Sequence, residues 1–219
     1  MKALVTGGSK GIGAACAAAL KCQGHEVLIA SRTKGIFLEA TDQNQISNAE
    51  SMAQGVDILI NNVGGGGTWG NEKYIEYTSP TVWAEVLQKN LVLAERLTMA
   101  AIPHMRQQGW GRVVTISSIH GKEGVGRPWF TVAKAAQIAL MKSLARTSYL
   151  ARSGITFNTV CPGYIETKIL PELMSETIPA GRFGTADEVA AVVAFLCTKE
   201  AAYVNGACVA VDGGESHSY

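Results

Sequence analysis

Short apolar runs recur along the chain, and between them apolar residues fall at helical spacing. Residues 3–5, 25–30, 56–61, 111–117, 154–160 and 207–211 read as strands, with 35–39 as a further short one. Several of these runs, such as VDILIN and GRVVTIS, are nearly continuous in apolar character rather than alternating, as a parallel sheet buried on both faces requires. Helices are predicted over 12–23, 44–53, 80–107, 128–151 and 185–197. In the third of these, Val82, Trp83, Val86, Leu87, Leu91 and Leu97 form an apolar stripe that Asn90 interrupts. Asparagine is a poor residue inside a helix, so Asn90 is expected either to face solvent or to hold a water near a site. Pro128 fits the first turn of the next helix, and Thr185 fits the N-cap of the last, with Asp187 and Glu188 behind it. Strand and helix alternate throughout, which predicts an α/β doubly wound parallel sheet in a single domain over 1–219. The segment between Arg32 and Asp57 is too short for two helices and a strand, so the crossover helix after the second strand is expected to be missing or reduced to a turn.

Composition narrows the partners. The chain has 219 residues, 47% of them hydrophobic and 17% charged, enough apolar material for a sheet covered on both sides. The net charge is +1, without a run of Lys or Arg, which argues against nucleic acid. No apolar stretch is long enough for a membrane span, and the first strand begins at Lys2, where a leader peptide would stand. The five cysteines are odd in number and scattered, which predicts free thiols and a cytoplasmic location. The four histidines show no metal-ligand spacing, so no metal is expected.

Candidate chemistry begins at the first strand's end, LVTGGSKGIG. Gly7, Gly11 and Gly13 leave no Cβ where a bulky ligand would approach the backbone. The N–H groups at the start of the following helix, with the positive end of its dipole, form a site for a diphosphate. A dinucleotide at this turn is the functional reading, and a turn that only packs is the alternative. The spacing departs from G-x-G-x-x-G, because Cys16 stands where a glycine would close that pattern. Ser31-Arg32-Thr33-Lys34 ends the second strand, which in such a fold faces the adenosine ribose. An acid there would repel a 2′-phosphate, whereas Arg32 accommodates one and Lys10 can reach the same side. NADP(H) is therefore expected as cofactor. A glycine-rich loop, 64–70, carries Trp69, and Ser117-Ser118 close strand 111–117 at its carboxyl end, where open α/β sheets bind ligands.

Taken together, TGGSKGIG, NNVG, Asn90, ISS, Phe130-x-x-x-Lys134, CPGYIET and the final VDGG resemble the short-chain dehydrogenase/reductase family over nearly the full length of the chain. The resemblance implies a Rossmann-like sheet with cofactor contacts from Gly7, Ser9, Lys10, Gly11, Ile12, Gly13, Ser31, Arg32, Asn62, Gly64, Lys134, Pro162, Gly163, Ile165 and Thr167. It also implies that Ser118 orients a substrate oxygen, Lys134 holds the ribose and Asn90 carries a relay water. Glu39 departs from the Asp or Asn common beside the adenine. Assembly through helices 80–107 and 128–151 is implied as well, giving a homodimer or homotetramer.

The position four before Lys134 carries Phe130, where the family has a tyrosine. Phenylalanine keeps the ring but removes the hydroxyl that exchanges the proton, a loss of order 10² to 10⁴ in rate. Cofactor binding should survive, since hydride chemistry belongs to the cofactor. Three readings stay open: a reductase altered at this position to slow it; a natural phenylalanine with the proton carried by Tyr164, His120, Ser118 or Lys134; or a cofactor-binding module without turnover. Trp69, His120, Trp129 and Tyr164, with Arg127, Lys122 and Glu123, are candidates to border the substrate. Aromatic rings beside charged groups suit a small polar, sugar-like or anionic carbonyl compound.

Overall fold

The structure, a computed structural model, describes residues 1–66, 75–166 and 172–217. Seven parallel strands form a sheet in the order β3-β2-β1-β4-β5-β6-β7. They are β1 (Lys2–Thr6), β2 (Glu26–Ser31), β3 (Ile36–Phe37), β4 (Ile58–Asn61), β5 (Gly111–Ile116), β6 (Ile155–Pro162) and β7 (Cys208–Val211). The chain winds outward from β1 to β3, then returns across β1 to build the other half from β4. The crevice at the carboxyl ends of β1 and β4 is thus the switch point where such sheets bind ligands.

Successive strand residues point to opposite faces, so each apolar run divides between two cores. Leu4, Leu59, Val113 and Phe157 pack beneath α2 (Gln43–Ala53), α4 (Leu93–Gln108) and α6 (Pro128–Ala145). Ala3, Val5, Ile58, Ile60, Val114 and Val160 face α1 (Gly11–Cys22) and α8 (Ala186–Leu196), which also pack on each other. This two-sided burial is why the runs read as continuous rather than alternating.

The crossover expected to be missing is missing. Between β2 and β3 the chain makes a short loop and resumes in the same direction, with Ala30 opposite Ile36. The Ser31 hydroxyl holds that loop, accepting from Lys34 N at 2.9 Å and donating to Lys34 O at 2.7 Å. Gly35 has φ +75°, and a Cβ there would collide with the Ile29 carbonyl oxygen. Ser31 therefore has a structural duty beyond the cofactor contact expected of it.

The predicted helix 80–107 divides into α3 (Pro80–Leu87), a π-helical turn (Gln88–Val92) and α4. Helix 128–151 was expected to be unbroken, and the structure corrects this: α6 stops at Ala145 and a separate turn, α7 (Ser148–Ala151), follows. Thr147 is extended there, and the Asn205 side chain donates to the Ala145 carbonyl at 3.3 Å, meeting a helix-end acceptor that a continuing helix would have used. The last helix starts as expected, with Thr185 and Glu188 in a reciprocal capping box.

Candidate active site

The β1–α1 turn is closed by Asn62 from the end of β4. Asn62 Nδ2 donates to the carbonyls of Thr6 at 2.9 Å and Gly7 at 3.4 Å. The Thr6 hydroxyl answers by accepting from the backbone of Asn62 and Val63. A Cβ on Gly7 would stand 2.7 Å from Asn62 Nδ2, and one on Gly13 would strike the Gly7 carbonyl. Two of the three glycines are thus required by this closure, and the Asn62 amide is spent on it. Lys10, the N-cap of α1, supplies no side-chain cap, and the first turn of α1 holds no acid. Its leading N–H groups, among them those of Gly11, Ile12 and Gly13, meet no side-chain acceptor from the cap residue. This is the arrangement a diphosphate completes. Farther out, Arg32 is largely exposed and lies 3.8 Å from Glu39, so Glu39 shares the cation expected to meet a 2′-phosphate.

Ser118 follows β5 and caps the short helix α5 (Ile119–Glu123), its hydroxyl accepting from His120 N at 3.2 Å. Ser117 donates its hydroxyl to the Lys134 carbonyl at 2.8 Å, which ties the strand end to α6. Lys134 reaches back from α6 and donates from Nζ to Ile116 O at 2.8 Å and to Gln137 Oε1 at 3.1 Å. Burial lowers its pKa from 10.5 to about 8.

Asn90 is fully buried, which excludes the solvent-facing alternative. Its Nδ2 donates to Val86 O, four residues back, at 2.8 Å and to Gly65 O at 3.0 Å, while Oδ1 accepts from Gly65 N at 3.1 Å. Bonding back onto the preceding turn competes with the helical ladder and accompanies the π turn. The Asn90 backbone carbonyl accepts from Gln137 Nε2 at 2.7 Å. Asn90 and Lys134 are therefore joined through the Gln137 side chain, a direct bridge where the resemblance implies a relay water. Gly64 must lack a side chain, since a Cβ there would come within 2.5 Å of Asn90 Oδ1 and 3.1 Å of Lys134 Nζ.

Phe130 stands beside this network, its ring centre 5.6 Å from Lys134 Nζ. The His120 ring meets it edge to face at 6.0 Å, Tyr164 meets His120 at 6.3 Å, and Phe183 meets Tyr164 at 6.5 Å. His120 is thus the titratable ring next to Phe130, and Tyr164 lies one ring farther away. Burial pulls the His120 pKa below 6.5. Pro162 ends β6 and Gly163 follows it, with Gly163 N donating to Val211 O at 3.1 Å. Ile165 bridges to Gly184, and Tyr164 N donates to Glu215 at 3.3 Å, so the chain after β7 supports this loop from behind.

Trp129 does not border a pocket as expected. It is 1% exposed and packs with Val86, Ala133 and Trp83, and its indole N–H donates to Gly66 O at 2.9 Å. It supports the glycine loop from inside. Trp69 and Thr167 lie outside the described residues, and Ser9 lies in the turn before α1.

The family described as enoyl-(acyl carrier protein) reductase matches residues 36–216. An acetoacetyl-CoA reductase of Rhizobium meliloti is 35% identical, the match covering 97% of each chain. A 3-oxoacyl-[acyl-carrier-protein] reductase, FabG, of Escherichia coli is 35% identical over 97% of this chain and 96% of its own. Among solved structures, the TT0495 protein of Thermus thermophilus superposes with a TM-score of 0.83 at 38% identity, covering 98% of both chains. The chain belongs to the short-chain dehydrogenase/reductase family. The acetoin dehydrogenase YohF of Salmonella typhimurium, at TM-score 0.86 and 28% identity over 97% of this chain and 95% of its own, shares the same sheet.

As a short-chain dehydrogenase/reductase, the chain is an oxidoreductase by family, and the members of that family use nicotinamide cofactors. Its residues fit such a group: the uncapped α1 start, the glycine closure against Asn62 and the cations Lys10 and Arg32 stand along one edge of the sheet. No helix among the described residues is long and apolar enough to cross a membrane. Sequence reading missed Gln137 and Glu215. Gln137 lies three residues after Lys134 on the same helix face, a spacing that could have drawn notice. Glu215 reaches Tyr164 only through the tertiary fold.

Proposed function

We propose that this chain is an NADP(H)-dependent oxidoreductase for the carbonyl or hydroxyl group of a small polar substrate, with proton transfer rerouted from position 130 to His120. The observation that carries this reading is the placing of Lys134 and His120 against the Phe130 ring, with Ser118 capping the short helix that carries His120. When bound, the cofactor supplies or accepts a hydride. The α1 amides would hold its diphosphate, Arg32 and Lys10 its 2′-phosphate, Lys134 its ribose, and the Pro162–Gly163 loop its nicotinamide end. Ser118 orients the substrate oxygen through its hydroxyl. His120 gives the proton when charged and takes it when neutral. Phe130 cannot do either, and its ring excludes water beside Lys134.

Arg127 Nη1 lies 3.7 Å from where a Cβ on Gly66 would stand, on the Phe130 side of that loop, and burial lowers its pKa. With Lys122 it favours a substrate carrying hydroxyl or anionic groups, and a sugar-derived carbonyl is the expected class. The relatives' names add 3-oxoacyl thioesters as the competing class. Met99 on α4 and Val132 on α6 leave exposed apolar surface on the two long helices, where a second copy would pack to form a homodimer or homotetramer in the cytoplasm.

A second reading, a cofactor-binding module without turnover, draws on the closure of the Asn90–Gln137–Lys134 network on itself. Following NADPH absorbance with sugar-derived ketones and acetoacetyl-CoA, in parallel with an NADPH binding titration, separates the two. Turnover of either substrate class supports the oxidoreductase reading. Binding without turnover of any carbonyl, at any pH, leaves the module.

A further inference from the structure

Two thiols meet beneath the catalytic edge. Cys161, near the end of β6, and Cys208, at the start of β7, place their sulfurs 3.2 Å apart. The strands pair with Cys161 opposite Ala210 and Thr159 opposite Cys208, so the two side chains share a face of the sheet, two residues out of register. Cys161 is buried and Cys208 is partly open. Cys161 directly precedes the Pro162–Gly163 loop.

We propose that Cys161 and Cys208 form a peroxide-oxidised dithiol site, with Cys208 as the attacking thiol and Cys161 as the resolving one. Cys208 has the features of a reactive thiol: partial exposure, a second thiol 3.2 Å away, and the ammonium groups of Lys122 and Lys142 nearby, whose charges favour its thiolate. Cys161 is held as the protonated partner, its pKa raised mainly by the bond to Cys208 and by burial. The Cys208 thiolate attacks the outer oxygen of a hydroperoxide. The O–O bond breaks, and the departing oxygen leaves as alcohol or water after taking up a proton. Cys208 is then a sulfenic acid. Cys161 sulfur attacks Cys208 sulfur, the S–O bond breaks, and the hydroxide leaves as water with the Cys161 proton. In sum, the two thiols lose two electrons and two protons, and the peroxide becomes one alcohol (or water) and one water.

Closing the bond needs the sulfurs to move from 3.2 Å to about 2.05 Å, with some backbone adjustment. Among the described residues β7 is the last strand of the sheet and has one neighbour, β6, so it can shift toward it. The bond would pull on the Cys161 sulfur directly before the Pro162–Gly163 loop, coupling the thiols' redox state to the position of that loop. Cys22 is the exposed thiol of the chain and is the internal competitor.

The test is read by mass rather than by turnover, so it stands apart from the fate of the proposed function. The reduced protein is titrated with hydrogen peroxide, and its peptides are mapped without reduction. The expected result is a 161–208 cross-link that forms before Cys22 is oxidised and is reversed by dithiothreitol. Cys161→Ser should then leave Cys208 as a sulfenic acid that dimedone traps, whereas Cys208→Ser should leave Cys161 reduced. Should a serine variant fail to fold, the wild-type map and a Cys22→Ser control, which should still cross-link, decide the matter. Oxidation confined to Cys22, or a Cys208 that advances to the sulfinic acid without cross-linking, overturns the proposal.

Discussion

The Gln137 side-chain amide donates to the Asn90 carbonyl at 2.7 Å while its own oxygen accepts from Lys134 Nζ at 3.1 Å. All three residues are buried. A π turn on one helix and a lysine on another are thereby fixed relative to each other without a carboxylate. The Lys134 charge is held by neutral acceptors, which explains why burial dominates its pKa. Gln137→Leu removes both bonds and leaves a buried carbonyl and a buried ammonium short of a partner. The expected cost is about 1–3 kcal/mol of stability, measured by urea unfolding. An unchanged midpoint would show that the bridge contributes nothing.

Lys134 also makes a prediction about pH. Its pKa is lower in the fold (about 8) than in the unfolded chain (10.5), so the unfolded state binds more protons between those values. From this group, stability rises with pH across that window, by about 3 kcal/mol in total. Below pH 8 the penalty for the buried charge is present in full. The check compares wild type with Lys134→Met from pH 7 to pH 11, because other groups titrate there too. The difference between the two curves should shrink as pH rises through the window, and parallel curves would contradict the assignment.

Phe130→Tyr restores a hydroxyl beside Lys134 and His120. With His120 carrying the proton, kcat for carbonyl reduction should stay close to the wild-type value. Steady-state kinetics on both proteins measures it. A gain on the order of 10² or more would return proton transfer to position 130 and favour a reductase altered at this position.

His120 gives the wild-type protein its own signature. Burial holds the imidazole neutral at pH 7, so its acid form is populated only as pH falls below 6.5. Carbonyl reduction should therefore accelerate toward low pH, whereas alcohol oxidation should be fastest above pH 6.5 and fall as His120 is protonated. His120→Phe should flatten both profiles and lower kcat by roughly 10²-fold or more. A variant that keeps the wild-type pH dependence would remove His120 from the mechanism.

The sheet was legible because its strands are buried on both faces, so Leu59 and its neighbours Ile58 and Ile60 read as one apolar run. The short β2–β3 connection followed from chain length alone. The Thr185 capping box was legible because a cap is a local arrangement. What could not be read depends on contacts between distant segments. Asn90 looked the same in sequence whether it faced solvent or Gln137. Trp129 looked like a pocket residue because nothing local shows that Gly66 lies over its indole nitrogen. The end of α6 at Ala145 depends on Asn205, far along the chain. Ser31 and Asn62 stood in cofactor positions by motif, yet their side chains are engaged in holding the loops that would form the cofactor site.

Arg32 sets the cofactor preference in this account. Arg32→Asp should weaken NADPH binding by about tenfold to a hundredfold, the loss expected for a charge-assisted contact, and should spare NADH. Glu39→Gln releases Arg32 from its exposed partner and should change NADPH affinity only slightly in the favourable direction, because such surface pairs are weak. Fluorescence titration of both cofactors reads both effects.

The most direct test of the account is calorimetric titration of the wild-type protein with NADPH, with NADH and with Gly13→Ala as comparisons. Saturable heat and a raised melting temperature with NADPH, at least about tenfold weaker binding of NADH and none by Gly13→Ala are the predicted results. The absence of heat and of thermal protection with NADPH at millimolar concentration would contradict it.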